Sequence, residues 1–200
     1  MTKKLVIMGS ANSRNFEKIV KYFKNKDVTI ACLSDNKDSE ILKKAQSLDI
    51  PNKYLPYESN TQYLASTDFD LIVLSGYNKK LAPETLKTGQ VINIHPSLLP
   101  AFNCEDAIKR AYLTGVKVSG VTVYRVSTNV ESETILAQYP VLIGLTTHFD
   151  EFEEEIHTLE DNLYPPVIEA VLEDRVFDFQ DLLKNSCHNN NCGGCNGCNH

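Results

Sequence analysis

Gln90-Val91-Ile92-Asn93-Ile94-His95-Pro96-Ser97-Leu98-Leu99-Pro100 is the stretch around which the rest of the chain is read. It opens as an apolar run with β-branched Val91 and Ile92, the pattern of a short buried strand. Side chains alternate along a strand, so Asn93 and His95 fall on one face. Pro96 stops the strand and favours extended backbone at His95. A stiff strand end thereby presents a hydrogen-bond donor and a titratable ring side by side. They stand near the carboxyl edge, where open α/β sheets bind ligands. The competing reading makes His95 a satisfied core histidine and Asn93 a turn former.

Upstream, residues 70–75 (Asp-Leu-Ile-Val-Leu-Ser) form the clearest buried parallel-strand pattern, followed by Gly76-Tyr77-Asn78-Lys79-Lys80-Leu81. Residues 4–8 and 28–33 read as strands and 54–55 as a short third one, with helical patterns at 16–23, 41–48 and 60–65. Downstream, a loop and helix cover 101–114, strands are expected at 118–126 and 134–143, and a long helix at 150–172. Strands alternating with helices through short connections predict an α/β fold with a doubly wound, mostly parallel, Rossmann-like sheet. No repeat or Pro-rich linker divides residues 1–180, which read as one domain, and residues 181–200 form a Cys-rich tail.

The turn Gly9-Ser10-Ala11-Asn12-Ser13-Arg14-Asn15 joins the first strand to the first helix. A small, polar turn of this kind is a natural anion site, because free N–H groups leave the helix start and the dipole favours negative charge. Arg14 adds a cation suited to phosphate. The alternative is an ordinary capped helix start. Residues 150–155 carry an acidic run, which reads as a solvated face favoured by the helix dipole.

Two hundred residues with 42% apolar and 23% charged side chains describe an ordinary globular chain able to bury a sizeable core. A net charge of −6 argues against binding nucleic acid through a general basic surface. No 18-residue apolar run is present, so no membrane span is expected. Six cysteines are unevenly spread: Cys32 and Cys104 in the body, Cys187, Cys192, Cys195 and Cys198 at the end. Cys32 reads as a small buried apolar residue. Clustered cysteines are a ligand set rather than a disulfide framework, which points to a reducing, cytoplasmic compartment. The tail spacing C-x4-C-x2-C-x2-C supplies four thiolates with Gly and Asn between them, suited to zinc or an iron–sulfur cluster. His188 and His200 are spare ligands, and a tail of free or oxidised cysteines is the alternative.

Asn93-Ile-His-Pro-Ser-Leu-Leu-Pro100 resembles the signature of the folate-dependent formyltransferases, most closely the phosphoribosylglycinamide formyltransferase type, and the likeness extends over about residues 4–180. The resemblance implies transfer of a formyl group from 10-formyltetrahydrofolate to a small amine, of glycinamide ribonucleotide type, in purine biosynthesis. It implies that Asn93 donates to the oxyanion formed when the amine attacks, and that His95 stabilises it and moves the proton. The family has a catalytic Asp seven residues before a Gln. Here Glu131 stands seven before Gln138, one methylene longer. Ser13-Arg14-Asn15 stands where the family has a phosphate-binding Gly-Ser-Asn, sharing only the Asn. Tyr77, Lys79 and Leu81 fall in the segment that lines the family's folate pocket, Lys79 in place of Arg, and Glu160 falls where the family contacts the substrate ribose. Cys104 replaces a Gly, and its acidic neighbours Glu105 and Asp106 disfavour a thiolate nucleophile. The implied partners are a small amine and a folate, with no nucleic acid and no membrane, while the oligomeric state is not set. The departures at 13–15 and 131 leave two alternatives: a different amine such as an amino sugar, or a formyltransferase-like pseudoenzyme whose metal-bearing tail serves sensing or partner binding.

Overall fold

The structure is a computed structural model that describes residues 2–11, 13–88, 90–127 and 134–180. Among the described residues seven strands form one sheet in the order β3-β2-β1-β4-β5-β6-β7. These are β1 (Lys3–Met8), β2 (Val28–Ser34), β3 (Asn52–Tyr54), β4 (Leu71–Leu74), β5 (Gln90–His95), β6 (Val118–Arg125) and β7 (Thr134–Leu142). β1 to β5 pair in parallel, and β6 and β7 complete the sheet antiparallel. Six helices lie among the described residues: α1 (Phe16–Phe23), α2 (Glu40–Ser47), α3 (Tyr57–Ser66), α4 (Pro83–Thr88), α5 (Ala107–Thr114) and α6 (Phe149–Leu172).

β1 shows why the parallel strands read as unbroken apolar runs. Leu5 and Ile7 point into the layer formed with α1, α2, α5 and α6. Val6 and Met8 point to the opposite face, where Leu64 of α3 and Leu86 of α4 pack. A strand covered on both faces must be apolar at every position. α1 buries Phe16, Ile19 and Phe23, spaced three and four apart on one face. The chain turns away from β1 toward β2 and β3, then returns to β4 and β5 on the other side. The crevice between β1 and β4 is therefore the topological switch point.

Three local expectations are corrected. The third strand is Asn52–Tyr54, because Leu55 turns into the core ahead of Pro56 although its N–H still bonds Ser34 O. α3 begins at Tyr57, immediately after Pro56, rather than at residue 60. α4 was not foreseen. Its cue is Pro83 at the first helical position, where the missing N–H costs nothing.

α6 runs for 24 residues through Pro165 and Pro166. Just before them, Tyr164 is fully buried, and its hydroxyl lies 2.8 Å from Leu74 O and 3.2 Å from Ile92 O. One phenol thus ties the helix to β4 and β5 together. Burial holds its proton well above the ordinary tyrosine range, with the nearby Tyr124 and Glu160 adding to the effect. Among the described residues no helix is long and apolar enough to cross a membrane.

Candidate active site

Asn93 and His95 stand two residues apart on β5, opposite Tyr124 and Thr122 of β6. The Asn93 amide is held at both ends. Its Oδ1 accepts from Ile94 N–H at 2.9 Å, and its Nδ2 donates to Tyr124 Oη at 2.9 Å. His95 Nε2 lies 3.0 Å from Phe102 O. A carbonyl only accepts, so Nε2 carries the hydrogen and Nδ1 is the basic nitrogen of the neutral ring. Phe102 sits at φ +52, a strained conformation for a bulky residue, while its ring packs against the core. The competing reading of His95 as an interior histidine does not hold in full: both it and Asn93 are only half-buried.

The loop after His95 is strapped to the sheet by residues that sequence reasoning did not single out for this task. Thr122 Oγ1 donates to Ser97 O at 2.7 Å and accepts from Leu99 N at 3.0 Å. Gln138 Nε2 reaches both Leu99 O, at 2.9 Å, and Thr122 Oγ1, at 3.0 Å. Ser97 Oγ closes the loop on Ala101 O at 2.6 Å. The available signal was a threonine inside the apolar Val121-Thr122-Val123 run: a polar group buried there requires partners.

At the switch point, Ser13 Oγ is hydrogen-bonded to Ser75 Oγ, just beyond β4. Ser10 N–H donates to Gly76 O at 3.0 Å, and Asn78 N–H to Ser10 Oγ at 2.9 Å. Gly76 adopts φ +66, where a side chain would strain the turn. Asn15 precedes α1, is nearly buried, and its Oδ1 has no protein partner. Arg14 instead reaches across to α6, pairing with Glu154 at 2.9 Å.

Glu160 also lies on α6, one turn before Tyr164. It is 7% exposed and bonded to His157 Nδ1 at 2.8 Å. Its neighbour Asp161 lies 4.0 Å from Lys18. Burial raises the Asp161 pKa, only partly countered by Lys18 and Arg14. On the other side of the sheet, Tyr77 Oη accepts from Asn60 at 2.8 Å, and burial, then the Asp35 charge, pushes the phenol up to about 12. Tyr77 and Leu81 pack against the β1–β4–β5 apolar cluster, with Lys79 exposed beside them. Glu131 and the four tail cysteines lie outside the described residues. Among the described residues no group of three or more His, Cys, Asp or Glu could hold a metal.

The formyl transferase family matches residues 3–168. The chain belongs to that family. It is 35% identical over 185 residues to phosphoribosylglycinamide formyltransferase of Bacillus subtilis, covering 85% of this chain and 95% of that one. It is 32% identical to the Haemophilus influenzae protein of the same name, covering 87% and 89% of the two chains. Among solved structures, glycinamide ribonucleotide transformylase 1 from Geobacillus kaustophilus superposes with a TM-score of 0.78 at 31% identity, over 86% of this chain and all of that one. As a formyl transferase, the chain carries its Asn93-x-His95 pair on a sheet of the same fold.

Proposed function

We propose that this chain transfers a formyl group from 10-formyltetrahydrofolate to the amine of glycinamide ribonucleotide, a step of purine biosynthesis in the cytoplasm. The observation that carries the reading is the Asn93 amide. Its oxygen accepts from Ile94 N–H and one amide hydrogen meets Tyr124 Oη, which leaves the second amide hydrogen as the donor for a reacting oxygen. Support for the substrates comes from the 35% identity to a phosphoribosylglycinamide formyltransferase along nearly its whole length.

The folate would supply an activated formyl carbon. The residues present fit it: the backbone after Gly76 runs outside helix and ladder, beside the apolar wall of Tyr77 and Leu81, which suits a flat ring system rich in hydrogen-bonding atoms. Lys79 would meet its acidic portion. As the amine attacks, Asn93 donates to the oxygen on which negative charge develops. His95 takes the amine proton and passes one to the departing nitrogen, acting as general base and then general acid. Glu131 would orient His95 and accept proton density. Ser13, Arg14 and Asn15 would hold the phosphate at the start of α1, with Asn15 donating through Nδ2 beside the helix N–H groups. Glu160 would bind the ribose hydroxyls through the oxygen that His157 does not occupy.

Steady-state assays with 10-formyltetrahydrofolate and a panel of amines, including amino sugars, test this. Glycinamide ribonucleotide should give the highest kcat/KM, and Asn93→Ala and His95→Ala should each lower kcat by at least ~10². Folate binding without turnover of any amine would overturn the enzymatic reading.

For the tail we infer one centre, zinc or iron–sulfur, on Cys187, Cys192, Cys195 and Cys198. The support is their spacing and the absence of any apolar residue among residues 186–200 that could anchor a packed segment. After anaerobic purification, elemental analysis should find about one equivalent of zinc or a full cluster's iron per chain. Four titratable tail thiols without metal would remove the inference.

A further inference from the structure

We propose that Tyr124 is a positioning residue for formyl transfer: it fixes the direction in which Asn93 offers its amide hydrogen. The inference rests on the reading of Asn93 as the donor to the developing oxyanion.

Tyr124 lies directly opposite Asn93 in the β5–β6 register, so the two side chains share a face. Ile94 N–H can only donate. It therefore commits the oxygen end of the Asn93 amide, at 2.9 Å, and a flipped amide would set two donors against each other. With the oxygen committed, Nδ2 must face Tyr124, whose oxygen accepts at 2.9 Å. An amide nitrogen carries two hydrogens. One is spent on Tyr124, and the other is left for the reacting oxygen. Its direction is set only while both anchors hold, because Ile94 alone leaves the amide plane free to rock about its bond to oxygen. Tyr124 is well suited to be the second anchor. Its backbone pairs with β5 and with β7, the β7 register shifting between Val123 and Tyr124, and its predecessor Val123 is wholly buried. A hydrogen-bond donor misplaced by about 1 Å forfeits much of its stabilisation of the transition state.

The test is a double-mutant cycle on the full chain, with glycinamide ribonucleotide and 10-formyltetrahydrofolate as the assayed pair. Tyr124→Phe keeps the ring and removes the acceptor. It should lower kcat on the order of 10-fold while both KM values stay within about 2-fold. In the Asn93→Ala background the same change should cost less than about 2-fold, because the group it positions is gone. Additive losses in the cycle, or an effect confined to KM, would overturn the role of Tyr124. Should Tyr124→Phe fold poorly, fluorotyrosine at position 124 keeps the shape and weakens the acceptor. A graded fall in kcat then supports the proposal, and an unchanged kcat overturns it. Absence of formyl transfer by the unmodified chain would instead overturn the functional reading beneath it.

Discussion

At the scale of single residues, burial decides which titratable groups stay silent. Cys32 is fully buried, and its thiol is pushed up to about 12, so it is the inert apolar filler that its strand position implied. Asp161 shows the opposite tension. Its pKa is raised above the ordinary 3.8, chiefly by burial, so the folded chain binds that proton more tightly than the unfolded one. The associated stability is fully present below 3.8 and is lost as pH rises through the raised folded value. At neutral pH the buried carboxyl therefore costs stability, even with Lys18 nearby. Asp161→Asn is expected to raise stability at neutral pH and to flatten its pH dependence across that window, as read by urea unfolding at several pH values. A lower midpoint at neutral pH would show that the Lys18 pair outweighs the desolvation.

At the scale of elements, the antiparallel β6–β7 pair holds the loop that follows His95, and Gly120 permits that arrangement. A Cβ added there would lie 2.1 Å from Tyr139 O and 2.9 Å from Leu98 Cδ2. The first contact is with backbone of the paired strand, which cannot swing aside. Leu98 belongs to the loop that Thr122 and Gln138 strap down. Gly120→Ala should therefore destabilise the fold by about 1–3 kcal/mol or more, and lower kcat through displacement of the loop. Denaturant unfolding and steady-state kinetics on one preparation check both. Normal stability with normal turnover would show that the strands part without cost.

At the scale of the whole molecule, the family match ends at residue 168, and the chain then runs from α6 back toward β7. Phe177 and Phe179 meet edge to face at 5.3 Å, and Phe179 lies 6.0 Å from Tyr139 of β7. These rings close the described chain upon the sheet's outer strand, so removal of residues 181–200 should leave the catalytic body whole. A chain ending at Gln180 is expected to keep kcat within about 2-fold, under about 0.5 kcal/mol in barrier, and Tm within about 2 °C. It should lose any bound metal. A collapse of activity would mean that the tail serves the catalytic site.

The alternation of apolar strands with amphipathic helices determined the α/β class, because parallel strands buried on both faces leave an unmistakable run such as 70–75. It also placed Asn93 and His95 together, since the period of a strand is a local property. Tertiary structure alone decided what holds those groups. Tyr124, Thr122 and Gln138 come from strands about 30–45 residues further along the chain, and a cross-strand register has no local signature. The same limit applies to Arg14, which the turn sequence offered as a free phosphate cation and the fold pairs with Glu154, 140 residues away. No local pattern marks Glu160 as a buried carboxylate. Only the packing of α6 over the sheet, anchored by Tyr164 on β4 and β5, makes it a buried one.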